Sequence, residues 1–182
     1  MTINEAVWSF VSVAMKRCLE FHNDTTTEWI TAGLPISLRA APKHETDFKV
    51  INELVVFPTD MRLISDLKTG VKQIQKDLAH LKTSLMPFGY YYLASYMTLN
   101  PWILCDGLLD DYTSKLTMNF SNVPGPKEPW SIAGAKCKSF AFQMPTAKRM
   151  TLGWAIISHA DVLKVTVSAD KASVADIDWL KD

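Results

Sequence analysis

The chain has 182 residues, of which 48% are hydrophobic and 21% charged, and its 19 basic and 19 acidic side chains give a formal net charge of zero. This size and composition predict one globular domain, residues 1–182, and exclude a disordered or collagen-like chain. The balanced charge excludes a general electrostatic attraction to nucleic acid, so an anionic ligand would need a local basic patch.

The cysteines Cys18, Cys105 and Cys137 are odd in number, far apart in sequence and set in apolar surroundings. This pattern favours buried thiols and a reducing, intracellular compartment, without resolving cytoplasm, organelle or membrane periphery. No apolar run approaches the roughly 20 residues that cross a bilayer, and the N-terminus lacks the order of a signal peptide. We therefore expect no transmembrane segment and no secretion.

The first predicted element is a helix that begins at the N-terminus. Thr2 and Glu5 have the spacing of a capping box, in which each side chain bonds a free backbone N–H of the first turn. A helix that begins so early indicates that other residues normally precede it. The residues expected to form its buried face are Ile3, Val7, Phe10, Val11, Ala14 and Cys18.

Two strands and a long helix come next. We predict strands at 34–38, where Pro35 suits an edge or a strand start, and at 50–58. Apolar residues at alternating spacings of three and four then predict a helix with Thr59 or Asp60 as its N-cap. These apolar residues are Ile64, Leu67, Val71, Ile74, Leu78 and Leu81.

The same helix carries a basic ridge of Lys68, Lys72, Lys76 and His80. A solvated helix face is the usual explanation of such a ridge. A contact with a CoA phosphate, an anionic lipid surface or an acidic partner is the alternative.

An aromatic segment follows, broken by Pro87, Gly89 and Pro101, and it predicts two short helices with Asn100 as N-cap of the second. Its aromatic residues are Phe88, Tyr90, Tyr91, Tyr92, Tyr96 and Trp102. We expect them in the core because each ring buries a large area. Lining an acyl-chain tunnel or contacting a membrane surface are the alternatives.

The rest of the chain predicts four strands and a closing helix. The strands lie at 115–120, 133–142, 152–158 and 162–168, and the last two form a hairpin. The closing helix begins at Ser173 as its N-cap. Because strands and helices are interspersed without a repeat, the expected class is an α/β or α+β layer.

The loop NVPGPKEP has three prolines that fix φ, and Gly125 permits a sharp angle. Such a loop loses little conformational entropy when it is held in one shape. It could form a wall of a substrate channel, but turning a corner of the chain is the commoner role of proline and glycine.

This loop also carries a family resemblance. SNVPGP after a β-run, followed by IAGAKC, resembles the C-terminal half of the bacterial and plant wax ester synthase/diacylglycerol acyltransferase family. INEAVWSFVSVAMKRCL, GLPISLR and VSADKASVADIDWL are similar, in the same order, to the family's Asn-Asp helix, its Pro-Val-Ser-Leu-Arg strand and its final strand and helix. The resemblance therefore covers nearly the whole chain.

The resemblance implies an α/β fold, a single lobe of the chloramphenicol acetyltransferase-like fold with a mixed sheet and packed helices. It also implies substrate-channel or structural roles for Asn4, Arg39, Asn122, Pro124, Gly125 and Pro126. Glu5 stands where the family has Asp, and a capping role explains Glu5 better than catalytic support does.

Family enzymes act through a His-His-x-x-x-Asp-Gly motif in their N-terminal half, and none of His22, His44, His80 and His159 is followed by that pattern. In the family mechanism the second histidine takes the proton of the acceptor hydroxyl as it attacks the acyl-CoA thioester. We therefore expect no catalytic residue in this chain and no turnover by the chain alone. Met1 falls where the missing half would have ended, and neither metal nor cofactor is expected.

Two functions remain open. The favoured one is a non-catalytic, acyltransferase-like subunit that serves as a structural component of a larger assembly. The alternative is the C-terminal lobe of a split wax ester synthase/diacylglycerol acyltransferase, supplying the substrate channel to a histidine-bearing N-terminal lobe. Both require another protein chain, either that lobe or the assembly subunits, and both allow acyl-CoA or a lipid as ligand without nucleic acid.

Overall fold

A computed structural model describes residues 2–39, 44, 51, 53–99, 102–146 and 149–174. Within these ranges the elements are, in chain order, α1 (Ile3–Phe21), β1 (Trp29–Ser37), β2 (Leu54–Arg62), α2 (Leu67–Thr83), α3 (Met86–Thr98), α4 (Trp102–Ser114), β3 (Met118–Val123), β4 (Ser131–Ile132), β5 (Ala135–Lys136), β6 (Leu152–His159) and β7 (Val162–Ala169).

Five of the strands form one mixed sheet in the order β2-β1-β3-β6-β7, and β4 and β5 form a separate small hairpin. β1 runs antiparallel to β2 and β6 antiparallel to β7, whereas β1 with β3 and β3 with β6 are parallel. α1 and α2 contribute to the core cluster together with residues of β1, β3 and β6. The predicted mixed sheet with packed helices is confirmed.

The first helix begins as expected, because both hydrogen bonds of the Thr2–Glu5 capping box are present. The prediction of its buried face is partly wrong, because Ile3 and Phe10 are 65% and 60% exposed. The buried face is centred instead on Trp8, whose ring meets Phe120 edge to face with the ring centroids 4.9 Å apart.

Two serines also lie on the buried face of α1. The spacing of apolar residues does not predict their burial, because serine is polar. The Ser9 hydroxyl donates to the Glu5 carbonyl oxygen at 2.8 Å. The Ser12 hydroxyl donates to the Arg62 carbonyl oxygen at 2.5 Å and accepts from the Ile64 N–H at 3.0 Å. Because their polar groups are satisfied, both serines tolerate complete burial.

The strand and helix boundaries between residues 50 and 67 differ from the prediction. β2 continues through Pro58 to Arg62 because it is an edge strand, where a missing N–H is tolerated. Thr59 and Asp60 are therefore strand residues, and the N-cap of α2 is Asp66, whose side chain accepts from the Thr69 N–H at 3.1 Å. The predicted seam of α2 is confirmed at Ile74 and Leu78, which are 1% and 5% exposed.

The aromatic segment forms two helices as predicted, but the expectation that its rings lie in the core is wrong for several of them. Phe88, Tyr92 and Tyr96 are 47%, 70% and 66% exposed. The sheet reaches only one side of α3, where Tyr90 meets Phe57 edge to face with the ring centroids 5.1 Å apart. The predicted cap at Asn100 and Pro101, and the side chains of Trp102 and Cys105, lie outside the described residues.

The predicted strand at 133–142 is wrong. Ala133 and Gly134 both adopt positive φ, 49° and 82°, and form the two-residue turn of the β4–β5 hairpin. The β6–β7 hairpin is confirmed by its antiparallel register. The helix predicted after Ser173 lies outside the described residues for most of its length.

Three smaller expectations concern the surface. Lys68, Lys72, Lys76 and His80 are exposed, as expected of a solvated helix face. Cys18 and Cys137 are half-buried rather than buried, and partial burial raises the pKa of the Cys18 thiol. Among the described residues, no helix combines the length and apolarity needed to cross a bilayer.

Tyr112 ties α4 to the sheet and gives a pH-dependent prediction. Its hydroxyl donates to the Val56 carbonyl oxygen at 2.6 Å. Burial, with a further contribution from Tyr90, raises the pKa of Tyr112 from 10.0 to about 12. The pKa of Tyr112 is higher in the folded chain than in the unfolded chain. The Tyr112 hydroxyl therefore stabilises the folded state fully below pH 10.0, and this stabilisation is lost as the pH rises toward about 12.

We therefore expect Tyr112→Phe to lower the free energy of unfolding by about 1 kcal/mol at neutral pH, the value of one hydrogen bond. Urea titrations between neutral pH and about pH 12 should show the difference from wild type shrinking as Tyr112 ionises. Tyr92→Phe is the matched control, since Tyr92 is 70% exposed. Equal pH profiles for the two variants would contradict the role given to Tyr112.

Candidate functional site

A groove of about 440 Å³ opens where the pairing of β1 with β3 ends. The two strands pair only at Ala32–Met118 and Gly33–Asn119. Beyond these pairs the groove is bordered by the last residues of β1 on one side and by Asn122 of β3 on the other. The described residues that line it are Asn4, Leu34, Pro35, Ile36, Ser37, Leu38, Leu81, Ser84, Pro87, Phe88 and Asn122.

This opening explains how Pro35 fits an inner strand, contrary to the predicted edge. The Thr31 carbonyl oxygen accepts from the Thr117 N–H at 2.8 Å, so odd-numbered residues of β1 direct their backbone polar groups toward β3. Pro35 is one of these, and it lies beyond the last pair with β3. Having no N–H, it leaves no unpaired donor facing the groove.

The groove brings together two of the residues singled out by sequence, Asn4 and Asn122. The Asn122 side-chain N–H donates to the Asn4 side-chain oxygen at 3.3 Å, although the residues are 118 positions apart. Asn4 is fixed by its place in the capped first turn of α1. That turn is also tied to α2, because the Glu5 carboxylate accepts from the Gln75 amide at 2.9 Å.

The described lining of the groove contains no Asp, Glu, Lys, Arg or His. Its polar side chains are the two asparagine amides and the hydroxyls of Ser37 and Ser84. A mostly apolar pocket with a few convergent polar groups suits a neutral ligand that has an apolar body. It does not suit a phosphate, which needs cationic or backbone N–H partners.

Arg39 and the part of the NVPGPKEP loop after Asn122 do not line the groove. Arg39 is exposed, donates to the Ile51 carbonyl oxygen at 3.4 Å, and is not among the described lining residues. The loop docks on the β6–β7 turn: the Gly125 N–H donates to the Ser158 hydroxyl at 3.0 Å. The Pro126 carbonyl oxygen accepts from the Ala160 N–H at 2.9 Å. This geometry favours the interpretation of the loop as a chain corner.

Glu5 serves as a cap, with its carboxylate also accepting from the Thr2 N–H at 2.9 Å. Its 7% exposure is tolerated because the carboxylate has hydrogen-bond partners. His159 is 6% exposed on β6, and no histidine belongs to the described lining of the groove. In the described ranges, no three His, Cys, Asp or Glu residues lie close enough to hold a metal ion.

Sequence reasoning missed most of the groove. In the sequence, Leu34 and Ile36 look like ordinary strand residues, and Ser84 looks like a residue between two helices. The Glu5–Gln75 contact joins residues 70 positions apart and has no periodic signature. The available signal was the GLPISLR block, whose residues Leu34 to Leu38 all line the groove.

Three comparisons with known proteins agree. A family model described as the WS/DGAT C-terminal domain matches residues 52–182. "Putative diacyglycerol O-acyltransferase Rv0221" of Mycobacterium tuberculosis H37Rv is 24% identical over 181 residues, covering 96% of this chain and 38% of that protein. A protein of strain CDC 1551 matches to the same extent. The chain thus spans less than half the length of these relatives.

The chain is also similar in structure to the wax ester synthase/diacylglycerol acyltransferase from Marinobacter aquaeolei VT8. The TM-score is 0.57 at 16% sequence identity, covering 99% of this chain and 41% of that one. This likeness confirms the predicted fold, a mixed sheet with packed helices as in the C-terminal part of that protein.

Proposed function

This chain belongs to the wax ester synthase/diacylglycerol acyltransferase (WS/DGAT) C-terminal domain family, and from that premise we propose that it acts as the C-terminal lobe of an acyltransferase. In this role it supplies one wall of the lipid channel. An N-terminal lobe, on the same or another chain, supplies the catalytic histidine. The alternative role as a purely structural subunit is the other outcome of the test below.

The observation that carries the proposal is the contact between Asn4 and Asn122 at the apolar groove. Both residues belong to blocks that resemble the family, and their side chains meet at 3.3 Å. A structural subunit would need the scaffold of the fold but not an uncharged groove that ends in two amides. Such a groove suits a long acyl chain or a long-chain alcohol.

The surface of α3 supports a covering lobe. The helix contains no Asp, Glu, Lys or Arg, and Leu85, Tyr92 and Leu99 at its exposed side are 79%, 70% and 84% exposed. Exposed apolar patches of this kind mark contacts with other surfaces. Because α3 also begins beside the groove through Pro87 and Phe88, a lobe that covers α3 would close the groove at the same time.

The proposed reaction is ordinary acyl transfer. The acceptor hydroxyl attacks the thioester carbonyl carbon, a C–O bond forms, and the C–S bond breaks to release CoA thiol. A histidine base on the N-terminal lobe accepts the hydroxyl proton and passes it to the leaving sulfur. The described residues of this chain position the lipid and exclude water from it.

The test is reconstitution. The chain is mixed with a separately produced lobe that carries His-His-x-x-x-Asp-Gly, and ester formation from acyl-CoA and a long-chain alcohol or diacylglycerol is measured. We expect turnover only when both parts are present. Co-purification from a native extract with partners of unrelated sequence, and no ester under any combination, would leave only the structural role.

Within the active complex, Asn122→Ala should lower kcat/KM about tenfold, the effect expected from losing about one productive hydrogen bond in the channel. The control is Val123→Ala, at a neighbouring exposed position outside the described lining. Binding of the two lobes, measured by size exclusion, should be unchanged in both variants. Equal activity of the two variants would remove the groove from the proposal.

A further inference from the structure

A second groove, of about 390 Å³, runs beside the last turns of α2. Asp77, His80 and Ser84 line it from the helix side, at the three- and four-residue spacing of one helix face. Trp29, Phe57 and Asp60 line it from β1 and the edge strand β2. It thus lies between α2 and the edge of the sheet.

The second groove adjoins the first. Leu81 and Ser84 line both cavities, so the two grooves lie side by side at the C-terminal end of α2. Their linings differ in chemistry. The described lining of the first contains no ionisable Asp, Glu, Lys, Arg or His, whereas the second has two carboxylates and a histidine beside aromatic rings.

One of the two carboxylates in the second groove is compensated by a cation. The Asp77 carboxylate accepts from the Arg62 guanidinium at 3.0 Å and from the Gln73 amide at 3.2 Å. The same guanidinium lies 4.0 Å from the centroid of the Trp29 ring. Arg62 therefore neutralises one of the two carboxylates and occupies one face of the ring that a ligand cation would use.

What remains in the second groove is a set of hydrogen-bonding groups next to apolar surface. The exposed Asp60 carboxylate accepts from the Thr31 hydroxyl at 3.0 Å and retains further acceptor capacity. Trp29 still exposes 41% of its surface. Hydroxyl groups that donate to a carboxylate form strong, charge-assisted hydrogen bonds, and the C–H face of a polyol packs on aromatic rings.

We propose that the two adjoining grooves together bind a single-chain lipid with a polyol head, its tail in the first groove and its hydroxyl groups at Asp60 in the second. Complementarity of polarity carries the assignment, because the uncharged first groove lies beside the hydrogen-bonding groups of the second. The inference rests on the proposed function for the role of the tail groove, and it adds the class of lipid. Binding itself requires no second lobe.

The experiment titrates this chain, labelled with ¹⁵N, with octyl glucoside and with monooctanoylglycerol below their micelle concentrations. The two probes separate a sugar head from a glycerol head. We expect shifts at residues of both grooves, including Leu81 and Ser84. Octyltrimethylammonium, which has the same tail and a cationic head, should bind about tenfold more weakly, as should glucose, which has no tail.

Variants separate the two ends of the site. Asp60→Asn should weaken octyl glucoside about tenfold, while Asp161→Asn, in the exposed β6–β7 turn, should leave it unchanged. Ser37→Trp fills the tail groove from an exposed strand end and should weaken both polyol probes by a similar factor.

The proposal is overturned if the ammonium probe binds as well as the glucoside, if Asp60→Asn has no effect, or if the shifts fall on α3 instead of the grooves. These results concern direct binding to the chain. They are therefore independent of whether reconstitution with a second lobe restores ester formation.

Discussion

Phe120→Ala is expected to lower the free energy of unfolding by about 4 kcal/mol, within the range for deleting a buried aromatic ring. Phe120 is 0% exposed at the centre of the sheet, and its ring contacts Trp8 on α1 with the centroids 4.9 Å apart. Removing the ring leaves a cavity between helix and sheet and also removes the edge-to-face contact, which contributes about 1 kcal/mol of the total. Urea unfolding followed by Trp fluorescence measures the change.

The matched control for this prediction is Phe10→Ala, on the opposite side of α1. Phe10 was expected to be buried from the spacing of apolar residues, but it is 60% exposed. Its replacement should change the free energy of unfolding by less than about 0.5 kcal/mol. Equal losses for Phe10 and Phe120 would show that α1 packs on a different face from the one described.

Gly125→Ala is expected to cost about 3 kcal/mol, because it combines a backbone clash with lost hydrogen bonds. A Cβ at this position would lie 1.7 Å from the Ser158 carbonyl oxygen, so the loop must move away from β6. The displaced loop would lose the bond from the Gly125 N–H to the Ser158 hydroxyl and the bond from the Ala160 N–H to the Pro126 carbonyl oxygen. Thermal unfolding measures the loss of stability. Amide hydrogen exchange at Gly125 and Ala160 measures the loss of the two hydrogen bonds that these N–H groups donate.

Gly89→Ala is the control for the Gly125→Ala variant. No heavy atom lies within 4 Å of a Cβ built at Gly89, which is inside α3. Alanine there should stabilise the chain by about 0.5–1 kcal/mol through its helix propensity. A Gly125→Ala variant that is as stable as Gly89→Ala would refute the docking of the proline loop on the β6–β7 turn.

The fold was predictable where local pattern decides structure. The capping box at Thr2, the seam of α2 and the β6–β7 hairpin depend on residues close in sequence, and all three are confirmed. The prediction failed where polar residues are buried or where one residue takes an unusual φ. Ser12 is buried through two backbone hydrogen bonds, and Ala133 adopts φ 49° inside a run that reads as a strand.

The candidate site was predictable only in part, for a related reason. Asn4 and Asn122 could be named from the family resemblance, but their contact depends on the parallel pairing of β1 with β3, which joins residues more than 80 positions apart. No periodic signal reports such a pairing. The groove itself exists because that pairing is short, and the length of a strand pairing is a property of the packed sheet.

The short β1–β3 pairing also affects how rigidly the two halves of the sheet are held together. The β2–β1 ribbon and the β3–β6–β7 ribbon share two residue pairs in the described ladder, so their backbone bonds oppose rotation of one ribbon against the other less than a full-length pairing would. The Trp8–Phe120 contact between α1 and β3 limits this rotation.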